Sequence, residues 1–354
     1  VGSEMCIRDR PRRMWQRLKK SLPLKSEKGY DSVELTVTPS PHIHDNVSTR
    51  KIMLRVIIAL TPACIAGVII FGYMAFINLA VCIASCVFFE YILRRMMKRP
   101  QTISDMSAVV TGMLLGMNLP PTINPLYGVI GSFVAIGIAK QLFGGIGQNF
   151  ANPAIVGRIV LMLSFTASMS TWCKPFYYLN GADVVTGATP LVSKDADYLS
   201  LLLGTTGGCI GETCAIALIA GGIYLIAARI ITPHAPVAFI GTVFLLTLIA
   251  GDDPLYAVLS GGLIIGAFFM ATDYATTPLT GKGKIIFGIG CGLITFAIRK
   301  FGNYPEGVSF SILLMNLLVP YIDRLCETKP VGAKAPEKAV SYTHLRAHET
   351  RSNL

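Results

Sequence analysis

Charge is scarce in this chain. Asp, Glu, Lys and Arg make up 14% of its 354 residues and 52% are hydrophobic, whereas soluble domains carry about 25% charged residues. An ordinary soluble globule is therefore excluded as the default. The nine cysteines contain no Cys-x-x-Cys pair and have no histidine at zinc spacing, which argues against a metal site. Cys64, Cys82, Cys86, Cys209, Cys214 and Cys291 lie in apolar runs and read as small buried hydrophobes. Residues 281–284 (GKGK) lack the length and the following Ser or Thr of a nucleotide phosphate loop. No signal-peptide core or cleavage site precedes the first apolar run, so the basic amino-terminal segment is expected in the cytoplasm.

Apolar runs of nearly the roughly 20 residues that cross a bilayer recur along almost the whole length. A net charge of +11 suggests nucleic acid in a soluble protein. Here Lys and Arg concentrate in the amino-terminal segment and in short loops, the positive-inside pattern of a bacterial inner (cytoplasmic) membrane protein, and no nucleic-acid partner is expected. Spans are expected at about 52–71, 75–93, 127–138, 154–168, 213–231, 237–249, 255–270, 285–298 and 308–321, with another from just after Asp105 to the Pro pair of NLPP at 118–121. The fold class is thus an all-α polytopic membrane protein of about ten transmembrane helices, with both termini inside. RRMMKR (94–99) marks the inner face, while Arg299 and Lys300 fall outside and run against the pattern.

The chain divides into a cytoplasmic basic segment (11–50), a first membrane half (51–168), an outer loop (169–200), a second membrane half (201–324) and a cytoplasmic tail (325–340). The stretches 1–10 (VGSEMCIRDR) and 341–354 (SYTHLRAHETRSNL) resemble translated sequencing-adapter read-through and are set aside. TGMLLGMNLPPT (111–122) and SGGLIIGAFFMATDYATTPLT (260–280) each place a GxxxG helix before a Pro-interrupted break. They suggest two inverted five-helix repeats whose broken helices meet near the midplane, although GxxxG is also a common packing device.

The longest polar stretch between spans contains LNGADVVTGATPL (179–191). Its core, Asp183 followed three residues later by Thr186-Gly187-Ala188-Thr189, resembles the sequence a flavin transferase recognises when it joins FMN through its phosphate to the last Thr. Gly187 and Ala188 leave room for a bulky nucleotide, Thr189 supplies the hydroxyl, and Asp183 supplies an acid to hold magnesium around the pyrophosphate of the donor. The same residues also suit an ordinary turn.

Further segments resemble one family: LTVTPSPHIHDNVSTRKIM, SDMSAVVTGMLLGMNLPPTINP, AKQLFGGIGQNFANPAIVGR, GCIGETCAIALIAGGIYLI and the stretch from Phe268 to Asp323. Over about 35–324 the chain resembles the D subunit of Rnf-type ion-translocating electron-transport complexes and, more distantly, the B subunit of the sodium-translocating NADH:quinone reductase. The resemblance implies covalent FMN on Thr189 as a phosphoryl-threonine, a loop on the outer face, and electron relay between ferredoxin and NAD coupled to Na+ or H+ translocation. Flavin suits such a relay because it carries one or two electrons. The implied partners are the other subunits of a hetero-oligomeric complex, a flavin transferase during maturation and the lipid bilayer; a second, non-covalent riboflavin is implied by the quinone-reductase relative. The alternative class is a solute channel or secondary transporter of inverted-repeat fold without redox cofactor.

Asp105, Arg158, Glu212, Asp273 and Glu90 stand in or beside apolar runs, where a charge costs roughly 2.5 to 3.5 kcal/mol. Asp105 and Asp273 occupy related places in the two halves and are expected to border the path of the coupling ion, unless each caps a helix or pairs with an Arg. Glu90 is expected to pair locally with RRMMKR, and Arg158 to meet a flavin phosphate or an anionic lipid.

Overall fold

Three helix starts show how the sequence sets the architecture. Asn124-Pro125, Asn152-Pro153 and Asp253-Pro254 each place an Asx cap before a proline at the first helical position, where its missing N–H costs nothing. The side chains of Asn124, Asn152 and Asp253 accept from the N–H groups of Leu126, Ala154 and Leu255. The computed structural model describes residues 48–179, 189–193, 196–302 and 307–327. Asp183, Thr186, Gly187 and Ala188 lie outside the described residues, as do the two stretches set aside above.

The main helices are α1 (Thr49–Phe71), α2 (Tyr73–Met96), α3 (Ser107–Met117), α4 (Pro125–Phe133), α5 (Pro153–Ser164), α6 (Ala215–Ala227), α7 (His234–Ile249), α8 (Pro254–Leu259), α9 (Leu263–Ile265), α10 (Gly281–Phe301) and α11 (Val308–Leu325). α4 continues into a π-helical segment, Val134–Gln141, and α9 into another, Gly266–Met270. No β-strand occurs among the described residues. Every expected span coincides with helical structure, so the all-α polytopic class holds. Among the described residues four helices, α1, α2, α10 and α11, have both the length and the apolarity to cross a bilayer. Ile58, Ile65, Ile69, Phe76 and Phe88 on α1 and α2 are exposed, as a lipid-facing surface requires.

The broken helices are shorter than spans. α3 has 11 residues, which at about 1.5 Å each reach only roughly half of a bilayer core about 30 Å thick. The span expected at 255–270 is interrupted between α8 and α9, because Ser260 is extended and Gly261 adopts φ +69. The positive φ favours glycine there, and a Cβ at Gly261 would also stand 2.7 Å from Leu191 Cδ1.

Small residues set the helix crossings. A Cβ at Gly112 on α3 would lie 2.6 Å from Ile83 Cα on α2, and one at Gly288 on α10 would lie 2.7 Å from the Ala235 carbonyl oxygen on α7. α2 packs on α3 and α4 in the first half; α7 packs on α8, on the π-helical continuation of α9 and on α10 in the second. α4 leans on α5 as α10 leans on α11, and α1 against α6 joins the halves.

Candidate functional site

Polar groups gather at three levels of the bundle. At one end Thr189 precedes a single helical turn, Pro190–Ser193. Thr189 is 4% exposed, so its hydroxyl is not open to solvent. The physical reason lies in its neighbours: the Tyr256 hydroxyl donates to the Pro190 carbonyl at 2.8 Å, and Leu191 sits over Gly261. These contacts draw the segment onto the break between α8 and α9. Thr189 lines a small pocket with Leu201, Thr206, Gly208 and Glu212.

On the far side of Leu191 opens a cavity of about 540 Å³, lined by Thr247, Tyr256, Phe296, Arg299 and Lys300 among others. The two cations that ran against the positive-inside pattern are occupied here. Lys300 Nζ lies 2.5 Å from Asp252 Oδ2, and Arg299 donates to the carbonyls of Ala257 and Ser260 at 2.6 and 3.2 Å. At the same end the Tyr198 hydroxyl donates to Asp253, which lowers the carboxyl's pKa from its ordinary value.

The middle level is built around Arg158, 2% exposed. It donates to Glu212 Oε1 at 2.9 Å, Asn118 Oδ1 at 2.5 Å and Ser309 Oγ at 3.2 Å. Neither a lipid nor a flavin phosphate is needed to account for this charge, because Glu212 from a distant loop meets it. That loop is held by backbone bonds from Gly211 N–H to the Met117 carbonyl, 2.7 Å, and from Ile210 N–H to the Leu119 carbonyl, 3.2 Å. The carbonyls at and just beyond the end of α3 are freed by the NLPP break, so the break itself receives the loop that carries Glu212. Asn118 also meets Met270 Sδ at 3.9 Å, which brings the two broken segments together.

The third level lies at the opposite end, beside the starts of α1 and α3. Glu90 is fully buried. The sequence favoured a local partner from RRMMKR, and Arg94 does approach, at 4.0 Å. The short contact is with Lys140 Nζ, 2.6 Å away and fifty residues later, and Lys140 also donates to Ser107 Oγ at 2.8 Å. Thr102 Oγ1 donates to Glu90 at 2.8 Å. Lys140 belongs to the π-helical continuation of α4 and is 2% exposed.

Lys140, Ser107, Thr111, Asn149, Asn152 and Asp273 line one cavity of about 90 Å³. Asp273 Oδ2 accepts from Thr276 Oγ1 at 3.2 Å. Asp105 stands in the turn Ile103–Asp105 and does not line this cavity, so the two acids are not brought to one place. Lys140 and Asn149 were missed in the sequence. The available signal was a lysine flanked by Ile138, Ala139 and Leu142 with no acid nearby in the chain.

Known proteins supply the family. The model of the NQR2, RnfD, RnfE family matches residues 36–332. The chain is 45% identical over 317 residues to the D subunit of the Na(+)-translocating ferredoxin:NAD(+) oxidoreductase complex of Acetobacterium woodii, covering 87% of this chain and 98% of that protein. It is 46% identical over 321 residues to the D subunit of the proton-translocating ferredoxin:NAD(+) oxidoreductase complex of Clostridium ljungdahlii, covering 84% and 96%. It is 38% identical over 336 residues to the D subunit of the ion-translocating oxidoreductase complex of Stutzerimonas stutzeri, covering 82% and 94%. With a match across nearly the whole described membrane region, this chain belongs to the NQR2, RnfD, RnfE family.

Proposed function

We propose that this protein is a membrane subunit of an ion-translocating ferredoxin:NAD+ oxidoreductase complex, and that it carries FMN covalently on Thr189 as one stop of the electron relay. The relatives named above support the first part: each is named as the D subunit of an ion-translocating complex and is matched over most of its length. The single observation that carries the second is DVVTGAT ending on Thr189, whose side chain stands at a pocket formed by Glu212 and the α8–α9 break. The neighbouring cavity of about 540 Å³ falls within the roughly 300 to 1,000 Å³ of pockets that hold organic ligands. Tyr256 and Phe296 give it aromatic walls, and Arg299 and Lys300 supply cations. A flavin held there would carry one or two electrons. In this reading the chain supplies the attachment point on Thr189 and, by burying it, keeps it from water.

The reading includes ten crossings in two inverted halves, cytoplasmic termini and Thr189 on the outer side of the inner membrane. The similar packing of α2 with α3 and α4, and of α7 with the end of α9 and α10, supports it. So does the basic end formed by Arg50, Lys51, Arg55, Arg94 and Arg95.

Because Thr189 is nearly buried, a flavin transferase must reach it before Pro190 and Leu191 dock, or when they swing out. The test is in-gel flavin fluorescence after denaturation, with the chain and its Thr189→Ala variant each co-expressed with a transferase. A fluorescent band for the parent and none for the variant is expected. A dark parent beside an active transferase overturns the assignment.

A further inference from the structure

We propose that the cavity between the end of α6 and the starts of α7 and α10 binds the phosphodiester headgroup of an anionic phospholipid, with Arg229 and Lys284 as its cations. The inference goes beyond the proposed function and needs only that the chain spans a bilayer.

The cavity measures about 270 Å³ and is lined by Arg229, Thr232, Thr272, Tyr274, Thr277 and Lys284 among others. No described residue that lines it is acidic. Lys284 Nζ donates to Thr232 Oγ1 at 3.2 Å, and Arg229 has no acid within 4.0 Å among the described residues. Asp323, at the rim, accepts from the Leu279 N–H at 3.0 Å. Basic pockets between spanning helices are a recurrent form of site for anionic headgroups.

The backbone around the cavity is costly without an anion. Arg229 follows α6 at φ +55, and the bonds from Ile230 N–H to the Leu225 carbonyl and from Arg229 N–H to the Ile226 carbonyl close a Schellman turn. Glycine is the usual residue at that position, so arginine gives up conformational ease to place its side chain at the cavity. Lys282 and Lys284 stand in the first turn of α10, which holds no acid, although the helix dipole disfavours cations there. α7 adds to the charge. Gly288 meets Ala235 and Gly292 meets Phe239, four residues on in both helices, so α7 and α10 run in the same direction and begin side by side. α7 has neither an acid in its first turn nor a capping side chain. One phosphate in the cavity relieves all of these costs together. The rim selects a lipid over a free phosphate: Leu279 and Tyr274 are exposed there, and Ile285, Ile286 and Ile289 continue an exposed apolar flank along α10 for an acyl chain. The volume lies below the roughly 300 to 1,000 Å³ of pockets that enclose whole organic ligands, and so suits a headgroup alone.

The test is native mass spectrometry of the whole purified complex, delipidated and then titrated with phosphatidylglycerol or with phosphatidylcholine of the same acyl chains. Phosphatidylglycerol is expected to form the tighter saturable adduct. Arg229→Gly and Lys284→Met are each expected to weaken it about fivefold, the contribution of one basic residue at an anionic lipid surface, and the double variant about 25-fold. Arg229→Gly also separates binding from folding. It removes the cation and eases the turn, so the SDS midpoint of the delipidated subunit is expected to hold or rise while phosphatidylglycerol affinity falls. Unchanged affinity in the double variant overturns the proposal, as does phosphatidylcholine bound equally well. Displacement of the adduct by millimolar inorganic phosphate overturns the choice of a lipid and assigns the cavity to the free anion. A parent complex with no adduct that depends on Arg229 also overturns it and shows the cavity covered by another subunit. In-gel flavin fluorescence on the same samples reports Thr189 separately, so failure of the lipid site and failure of the flavin assignment are distinguishable.

Discussion

The Arg158–Glu212 pair allows a sharp test of how this interior is held together. The two groups are 2.9 Å apart with side chains 3% and 4% exposed. At an effective dielectric constant of about 20, their attraction is about 6 kcal/mol. Desolvation of two ions costs several kcal/mol each, so the pair as a whole contributes little net stability. Removing one partner is a different matter, since the survivor keeps its desolvation cost and loses its compensation, a loss of about 3 to 5 kcal/mol. Arg158→Met and Glu212→Met are each expected to lose that much. The double variant, with two apolar side chains in the same space, is expected to lose much less than the sum. The assay is SDS titration of the purified protein in detergent micelles, followed by far-ultraviolet circular dichroism. Additivity of the two single losses to within about 0.5 kcal/mol refutes the reasoning, because it means that the charges do not compensate each other.

Two further outcomes follow from close packing and burial. Gly288→Leu forces side-chain atoms into the Ala235 carbonyl, 2.7 Å from where even a Cβ would stand. It is expected to cost at least about 1 to 3 kcal/mol in the same titration, and a loss under about 0.5 kcal/mol counts against the tight α7–α10 crossing. Burial pushes the Cys173 thiol up to about 11, so the unreactive protonated form persists below that pH and the thiolate fraction rises about tenfold per pH unit on approach to it. Maleimide labelling of Cys173 in the folded protein at pH 7 is expected to be at least about a hundredfold slower than in SDS, where the ordinary thiol value returns. Equal rates refute its burial.

Most of the fold was legible because the signals were strong and local. Apolar runs gave the spans, and Asx-Pro pairs and the NLPP break gave helix ends. The gap at Gly261 was harder to see, since the run from Leu255 to Met270 is apolar apart from Ser260 and a glycine conformation divides it. The candidate site was legible only in part. Thr189 ends a recognisable motif, but its burial comes from Tyr256 and Gly261, which lie far along the chain. Glu90 was read as paired with its own helix because sequence shows neighbours four residues apart, whereas Lys140 reaches it through a π-helical turn that changes which face the lysine presents. Partners fifty residues apart have no periodic signature.

The three polar levels are joined. Glu212 borders the Thr189 pocket and binds Arg158; Arg158 binds Asn118; Asn118 touches Met270; and the Met270 carbonyl accepts from Asn152, 3.2 Å away, which lines the cavity of Asp273. Each joint falls at a place where a helix is interrupted: the NLPP break after α3, the loop before α6, and the π-helical end of α9. Interrupted helices expose carbonyls and amides that a continuous helix keeps for itself, and in a low-dielectric interior those groups must find one another. The sequence features that spoil these segments as simple membrane spans thus create a continuous line of polar contacts between the two ends of the bundle. A change of charge at the Thr189 end meets Glu212 first, and Glu212 is bound to the arginine that orients the contact between the two broken helices. That arrangement gives the bundle a physical means by which a change of charge at one end can bias the packing at the other.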